Sequence, residues 1–152
     1  MSCRLLPISD FPRFSTAWDA LNSAHYAHPL MESRFLSNAL EHLGSGQEKL
    51  AVFGDQSDLD AIVVLSKTKL GAWSTFQASQ SPLGALIVKP GTDLTALAKA
   101  LFEQLPMSCQ IFSITQQDPD VLPRPGDQPL LRTLDYIDTA RITVDAAFDD
   151  YW

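Results

Sequence analysis

The sequence predicts an α/β domain built on a largely antiparallel sheet, and two features of the chain carry that expectation. Between residues 50 and 88, four short apolar segments follow one another with only loops and polar turns between them. Strands joined by short turns pair antiparallel, because a parallel neighbour needs a crossover of a dozen or more residues. Helical patterns stand outside this block, at 15–24 and 32–43 before it and at 93–105 after it.

Residues 3–8 form a short first strand, ended by Pro7 and the turn-forming Ser9 and Asp10. Ser15 caps the first helix through its hydroxyl, and Trp18 and Leu21, with Ala17 and Ala24, share one face at three- and four-residue spacing. His28 precedes Pro29 and is pushed out of helical geometry, which breaks the helix within 25–29. Phe35, Leu36, Ala39, Leu40 and Leu43 make the apolar stripe of the second helix, and Gly44 suits a left-handed terminus.

The meander strands fall at 50–53, 61–65, 73–76 and 85–88, with a turn at 54–58. Ala61, Val63 and Leu65 alternate with Ile62 and Val64, so this strand is apolar on both faces and central. Trp73 and Phe76 point to opposite faces, which offers one of them to solvent. Thr92 or Asp93 caps the third helix, whose face is Leu94, Leu97, Ala98, Leu101, Phe102 and Leu105, and Pro106 closes it. Ile111, Phe112 and Ile114 make another buried strand, opened by the small core residue Cys109. The proline-rich stretch 118–129 reads as a surface crossover loop or linker, since prolines supply no sheet donors. Strand character resumes over 131–144 through Leu134, Tyr136, Ile142 and Val144. Residues 146–152 read as the opening turns of a helix, with Asp145 as its cap.

A chain of 152 residues suits one domain, 1–152. Its net charge of -7 disfavours a nucleic-acid partner and an anionic membrane surface. The acid concentrates late, with eight aspartates from Asp118 onward against Arg124, Arg132 and Arg141; a solvated face is the commoner use of such a segment, a basic partner the other. Cys3 and Cys109 have no metal-ligand or redox spacing. No N-terminal stretch joins a basic region to an apolar run, and no apolar run approaches the roughly 20 residues of a bilayer span. A cytoplasmic domain with no membrane part is the expectation.

The element order (helix, helix, meander, turn, helix, strand), with Trp18 and Leu21 in the first helix, Phe35 and Leu36 in the second and the turn Ser81-Pro82-Leu83-Gly84, resembles the GCN5-related N-acetyltransferase (GNAT) fold. More narrowly, the chain is similar to the N-terminal half of the cellulose-biosynthesis acetyltransferase family, whose members often carry two such domains in tandem. The resemblance implies a GNAT-like mixed, largely antiparallel sheet with helices on both faces, and acetyl-CoA or another acyl-CoA as cofactor if the domain is active. Active members hold the coenzyme A pyrophosphate in a Gln/Arg-x-x-Gly-x-Gly/Ala loop, on backbone N–H groups and the start of the following helix. The nearest match makes Gln80, Ser81, Gly84 and Ala85 the cofactor candidates. It is one glycine short and one residue out of register, and Pro82 removes a donor. Read without the family, these residues form a type I turn with Pro82 second and Gly84 fourth. The loop between the first two helices lies near the acceptor in active members, which makes Tyr26 and His28 the substrate candidates. The Phe-acidic-acidic-Tyr-Trp run at 148–152 is similar to the one that leads such proteins into their second half, so the chain is expected to be a segment of a longer protein.

Other constellations are weaker. Pro90-Gly91-Thr92 before the third helix is a second anion candidate, opposed by Asp93, which already satisfies the helix dipole. His25, His28 and Glu32 have usable metal spacing, but Pro29 breaks their common face and no metal is expected. Asp135 and Tyr136 point to opposite strand faces, Asp149 and Asp150 suit capping, and Glu48 and Asp60 are expected at solvent-facing strand ends. Neither a Ser/His/Asp nor a Cys/His arrangement can be assembled, so the catalytic residues stay unassigned. Trp73, Tyr151 and Trp152 are the interface candidates, facing a second GNAT-like half or another copy of the chain. Three readings follow: a non-catalytic half-domain that shapes an acceptor site or interface, an active acetyl-CoA-dependent N-acetyltransferase, and a protein-interaction module.

Overall fold

The computed structural model describes residues 2–55, 58–79 and 81–135, together with Ala147. Within them lies a mixed α/β fold whose six-stranded sheet is antiparallel at every pairing but one. The strands are β1 (Cys3–Pro7), β2 (Lys49–Asp55), β3 (Asp58–Lys69), β4 (Ala72–Thr75), β5 (Leu86–Val88) and β6 (Ile111–Ser113). The helices are α1 (Ser15–Leu21), α2 (Ser33–Leu43) and α3 (Leu94–Gln104). The strand order is β1-β2-β3-β4-β6, and β5 also pairs with β3. Among the described residues no helix is long and apolar enough to cross a membrane.

β3 organises the sheet. One edge pairs with β2 over Asp58–Leu65; the other pairs with β4 near Leu65–Lys67 and with β5 at Ala61–Val63. The period-2 alternation of the strand sends Ile62 and Val64 to one face and Ala61, Val63 and Leu65 to the other. All five have no exposed surface. Ile62 and Val64 join a core with Trp18, Leu36, Leu50 and Val52 under α1 and α2. Ala61, Val63 and Leu65 join a second with Phe53, Leu97 and Leu101 under α3. Helices therefore cover both sheet faces. Trp73 and Phe76 do take opposite faces, but each meets one of these cores, so both are buried and neither is offered to solvent.

The first helix differs from expectation at both ends. A 3-10 helix, Ile8–Phe14, precedes it, and the Ser15 hydroxyl donates to Pro12 O at 2.9 Å instead of capping α1. At the other end α1 widens into a π-helical turn, Asn22–Tyr26, which closes at Ala27 in the left-handed region. Trp18 anchors α1: its indole N–H donates to Met31 O and its ring meets Phe11 edge-on at 5.6 Å. Asp19 on α1 caps α2 from outside, accepting the Ser33 N–H at 2.7 Å and the Ser33 hydroxyl at 2.6 Å.

Gly44 ends α2 in extended geometry (φ -76°) and not left-handed. Its role is steric, because a Cβ there would collide with Leu40 O and lie 3.3 Å from a Glu48 carboxylate oxygen. Glu48 is not at a solvent-facing end either. It is 4% exposed, and its Oε1 accepts the Ser45 N–H at 2.7 Å and the Ser45 hydroxyl at 2.8 Å. In α3 the buried residues are Leu97 and Leu101, with Leu105 just beyond, whereas Phe102 is 41% exposed because it faces away from the sheet.

β6 was expected to be buried and is instead an edge strand among the described residues, with Ile111 62% exposed. The 118–129 stretch is a loop, pinned by the buried Leu122. The strand expected from 131 is absent in its first five residues, where only the bridge Gln128–Leu131 forms. Asp127 takes over that ladder's role by accepting from Thr133 N–H at 2.9 Å and from Arg132. The rest of that strand, with Tyr136, Ile142 and Val144, and the terminal helical opening fall outside the described residues.

The Glu48 carboxylate links fold stability to pH. Burial alone would raise its pKa, but the Ser45 N–H, the Ser45 hydroxyl and neighbouring backbone N–H groups outweigh that and hold it below the ordinary 4.5. A carboxylate with a lowered pKa contributes stability above its unfolded value and loses it as pH falls through the folded one. Glu48→Gln is therefore expected to unfold at lower urea concentration at pH 7, with a smaller loss of stability than the parent chain between pH 5 and pH 3. Parallel acid titrations of the two proteins by circular dichroism check this.

Candidate functional site

A cleft of about 470 Å³ lies at the N-terminal end of α3. One wall is the connection from β5 to α3. Thr92 N–H donates to Lys89 O at 3.2 Å, Pro90 and Gly91 are the central residues, and Gly91 has φ +79°. That is a type II turn, with proline at its second position and glycine where φ must be positive. Asp93 then caps α3, accepting from Thr95 N–H at 2.9 Å and Ala96 N–H at 3.2 Å. Residues 121–126 of the proline-rich loop form the opposite wall, and His25 from the π-helical turn lines the cleft as well.

The charges around the cleft are largely committed. Lys89 pairs with Asp58 and lies 3.8 Å from Asp60. Arg124 pairs with Asp135 and donates to Thr133 O at 3.0 Å. Asp93 adds a negative group where α3 presents its N–H dipoles. The lining holds an imidazole and hydroxyls but no thiol. Among the described residues no three His, Cys, Asp or Glu side chains are grouped so as to hold a metal. Burial raises the Cys3 thiol to about 11, far from a reactive thiolate.

The cofactor candidates lie elsewhere, in an excursion of the chain between β4 and β5. The chain leaves and rejoins β3 at one point: Phe76 N–H donates to Val64 O, Val64 N–H to Ala85 O, and Ala85 N–H back to Phe76 O, at 2.7–2.9 Å. Ser81 N–H donates to Ala78 O at 2.9 Å and its hydroxyl to Leu83 O at 3.1 Å. Gly84 N–H donates to Gln116 O at 3.0 Å. Gln80 lies outside the described residues. The element that follows is β5, and the nearest helix start is at Asp93.

Gly84 fits between two polar segments, 75–77 and 115–117. Thr75 and Thr115 share a hydroxyl hydrogen bond at 2.6 Å, Thr115 N–H donates to Thr75 Oγ1 at 2.9 Å, and Gln77 bonds Gln116. A Cβ on Gly84 would overlap the Thr115 hydroxyl and stand 2.6 Å from the Thr75 hydroxyl.

The substrate candidates do not meet in the cleft. His28 Nδ1 accepts from Leu30 N–H at 3.1 Å and starts the short 3-10 helix Pro29–Met31. Tyr26 is buried, and its hydroxyl faces the Val88 backbone without forming a hydrogen bond of good geometry. Burial drives its pKa well up, with the Val88 backbone acting in the opposite sense. Of the interface candidates, Trp73 is 8% exposed within the core under α3, and Tyr151 and Trp152 fall outside the described residues. The sequence reading did single out the turn at Pro90-Gly91-Thr92. It missed Lys89 and Arg124, which stand 35 positions apart in two loops and carry no shared spacing signal.

Compared with family models, curated proteins and solved structures, the chain has no match in any of the three.

Gly84→Ala is expected to destabilise the fold by about 1–3 kcal/mol, the usual range for overpacking a filled site. A lower urea midpoint with an unchanged slope would report it. A variant as stable as the parent would show that the Thr75–Thr115 pair yields freely.

Proposed function

We propose that this chain is a GNAT-like acyltransferase domain that does not transfer acyl groups by itself and instead shapes an acceptor site or an interface with a second domain. The element order supports the family reading, as does the β5-α3-β6 connection, which returns the chain parallel to β4. The observation that carries the non-catalytic part is the use of the donors. The N–H groups of Ser81, Gly84 and Ala85 all bond within the fold, and the first turn of α3 is capped by the Asp93 carboxylate. A pyrophosphate needs such N–H groups free and a field without a competing anion. The free cysteines, Cys3 and Cys109, suit the reducing cytoplasm.

A second reading, a protein-interaction module, draws on Leu130 and Leu134. Both are more than 80% exposed within the acidic late segment and would be anchors for a partner.

Thermal-shift titration with acetyl-CoA tests the first reading. A ligand at 100 times its dissociation constant stabilises the fold by about 2.7 kcal/mol, which at this size moves the midpoint by at least roughly 5 °C. The expected result is a flat response up to millimolar ligand. A shift of several degrees would replace this reading with the active acetyl-CoA-dependent N-acetyltransferase.

A further inference from the structure

The turn after α1 gathers several departures from ordinary geometry within six residues. Asn22–Tyr26 is π-helical, and Ala27 (φ 46°) is the one non-glycine residue with positive φ among those described. The Tyr26 hydroxyl is buried without a proper partner, and His25 reaches across to β5. Such conformations persist where the surrounding structure imposes them, and they concentrate at working parts of proteins.

What surrounds this turn is the outer edge of β5. Val64 N–H donates to Ala85 O and Lys89 N–H to Asp60 O, which sets the phase of the β3–β5 ladder. The alternation of an antiparallel ladder then turns the Ile87 main chain toward β3 and the Val88 main chain away from it. No strand pairs with that outer edge among the described residues. Side chains of the turn meet it instead. His25 Nδ1 lies 3.1 Å from Val88 O, a contact that requires the proton on Nδ1, and the Tyr26 hydroxyl faces the Val88 backbone. The two rings stack edge-on at 5.0 Å. Asn22 clamps the ends of the turn: its carbonyl accepts Ala27 N–H at 2.7 Å, and its side chain donates to His28 O at 3.0 Å and accepts from His28 N–H at 3.2 Å.

We infer that the segment from His25 to Ala27 is a latch on the outer edge of β5, hinged at Asn22 and His28, which opens as a unit and then bares the Val88 C=O and N–H to the adjoining cleft. Burial of the Tyr26 ring holds it shut. The left-handed Ala27 and the unsatisfied hydroxyl work against closure, so opening needs far less than global unfolding. His25 belongs to both the latch and the cleft lining, which couples the two. The inference stands on the turn itself and is independent of the acyltransferase reading.

Native-state hydrogen exchange, followed amide by amide in the full chain, tests it. His25→Ala removes the contact to Val88 O and is expected to speed Val88 exchange about tenfold or more, while Ile87, bonded to β3, keeps its rate. Ala27→Gly removes the left-handed penalty and is expected to slow Val88 exchange. The latch is overturned if Val88 and Ile87 change together, if His25→Ala leaves Val88 unaltered, or if Ala27→Gly speeds it.

Discussion

Everything in this fold hangs on a strand that must be apolar on both sides. Residues 61–65 of β3 have no solvent exposure and feed two separate cores, so helices are required on each face. The same strand hydrogen-bonds β2 on one edge and both β4 and β5 on the other. Removing it from water satisfies a hydrophobic demand that the rest of the chain then has to meet. α1 and α2 bring Trp18, Leu21 and Leu36 to one side; α3 brings Leu97 and Leu101 to the other. Each fully buried aliphatic side chain is worth about 1.5–3 kcal/mol on transfer from water.

The excursion between β4 and β5 is the second constraint, because it interrupts pairing at the centre of the sheet. Its backbone groups would be orphaned if the chain did not close the gap, and orphaned buried groups are costly. Closure is achieved with Val64 as the shared partner of Phe76 and Ala85, and with threonine and glutamine side chains replacing a ladder between residues 75–77 and 115–117. Gly84 is needed there for space and not for an unusual φ. The same closure occupies the N–H groups of Gly84 and Ala85.

Electrostatics at the cleft follow a similar logic of prior commitment. Lys89 and Arg124 are cationic, but each already has a carboxylate partner, and Asp93 answers the α3 dipole. These pairs are solvent-accessible and individually worth little.

The fold class, the double burial of residues 61–65 and the three helices were legible along the chain, because they depend on hydrophobic periodicity that neighbouring residues fix locally. The turn before α3 and the proline-rich loop were legible as well. Packing alone sets how β4 and β5 share one edge of β3, buries both Trp73 and Phe76, and makes Glu48 a buried acceptor. Gly44 reads as a left-handed helix terminus and Gly84 as a turn glycine along the chain, yet what selects them is contact with Leu40 and with Thr75 and Thr115. That the turn before α3 and the proline-rich loop form one cleft was illegible for the same reason: His25 comes from the π-helical turn, and Lys89 and Arg124 from two distant loops. Burial and close approach between distant segments are properties of packing, and no local pattern encodes them.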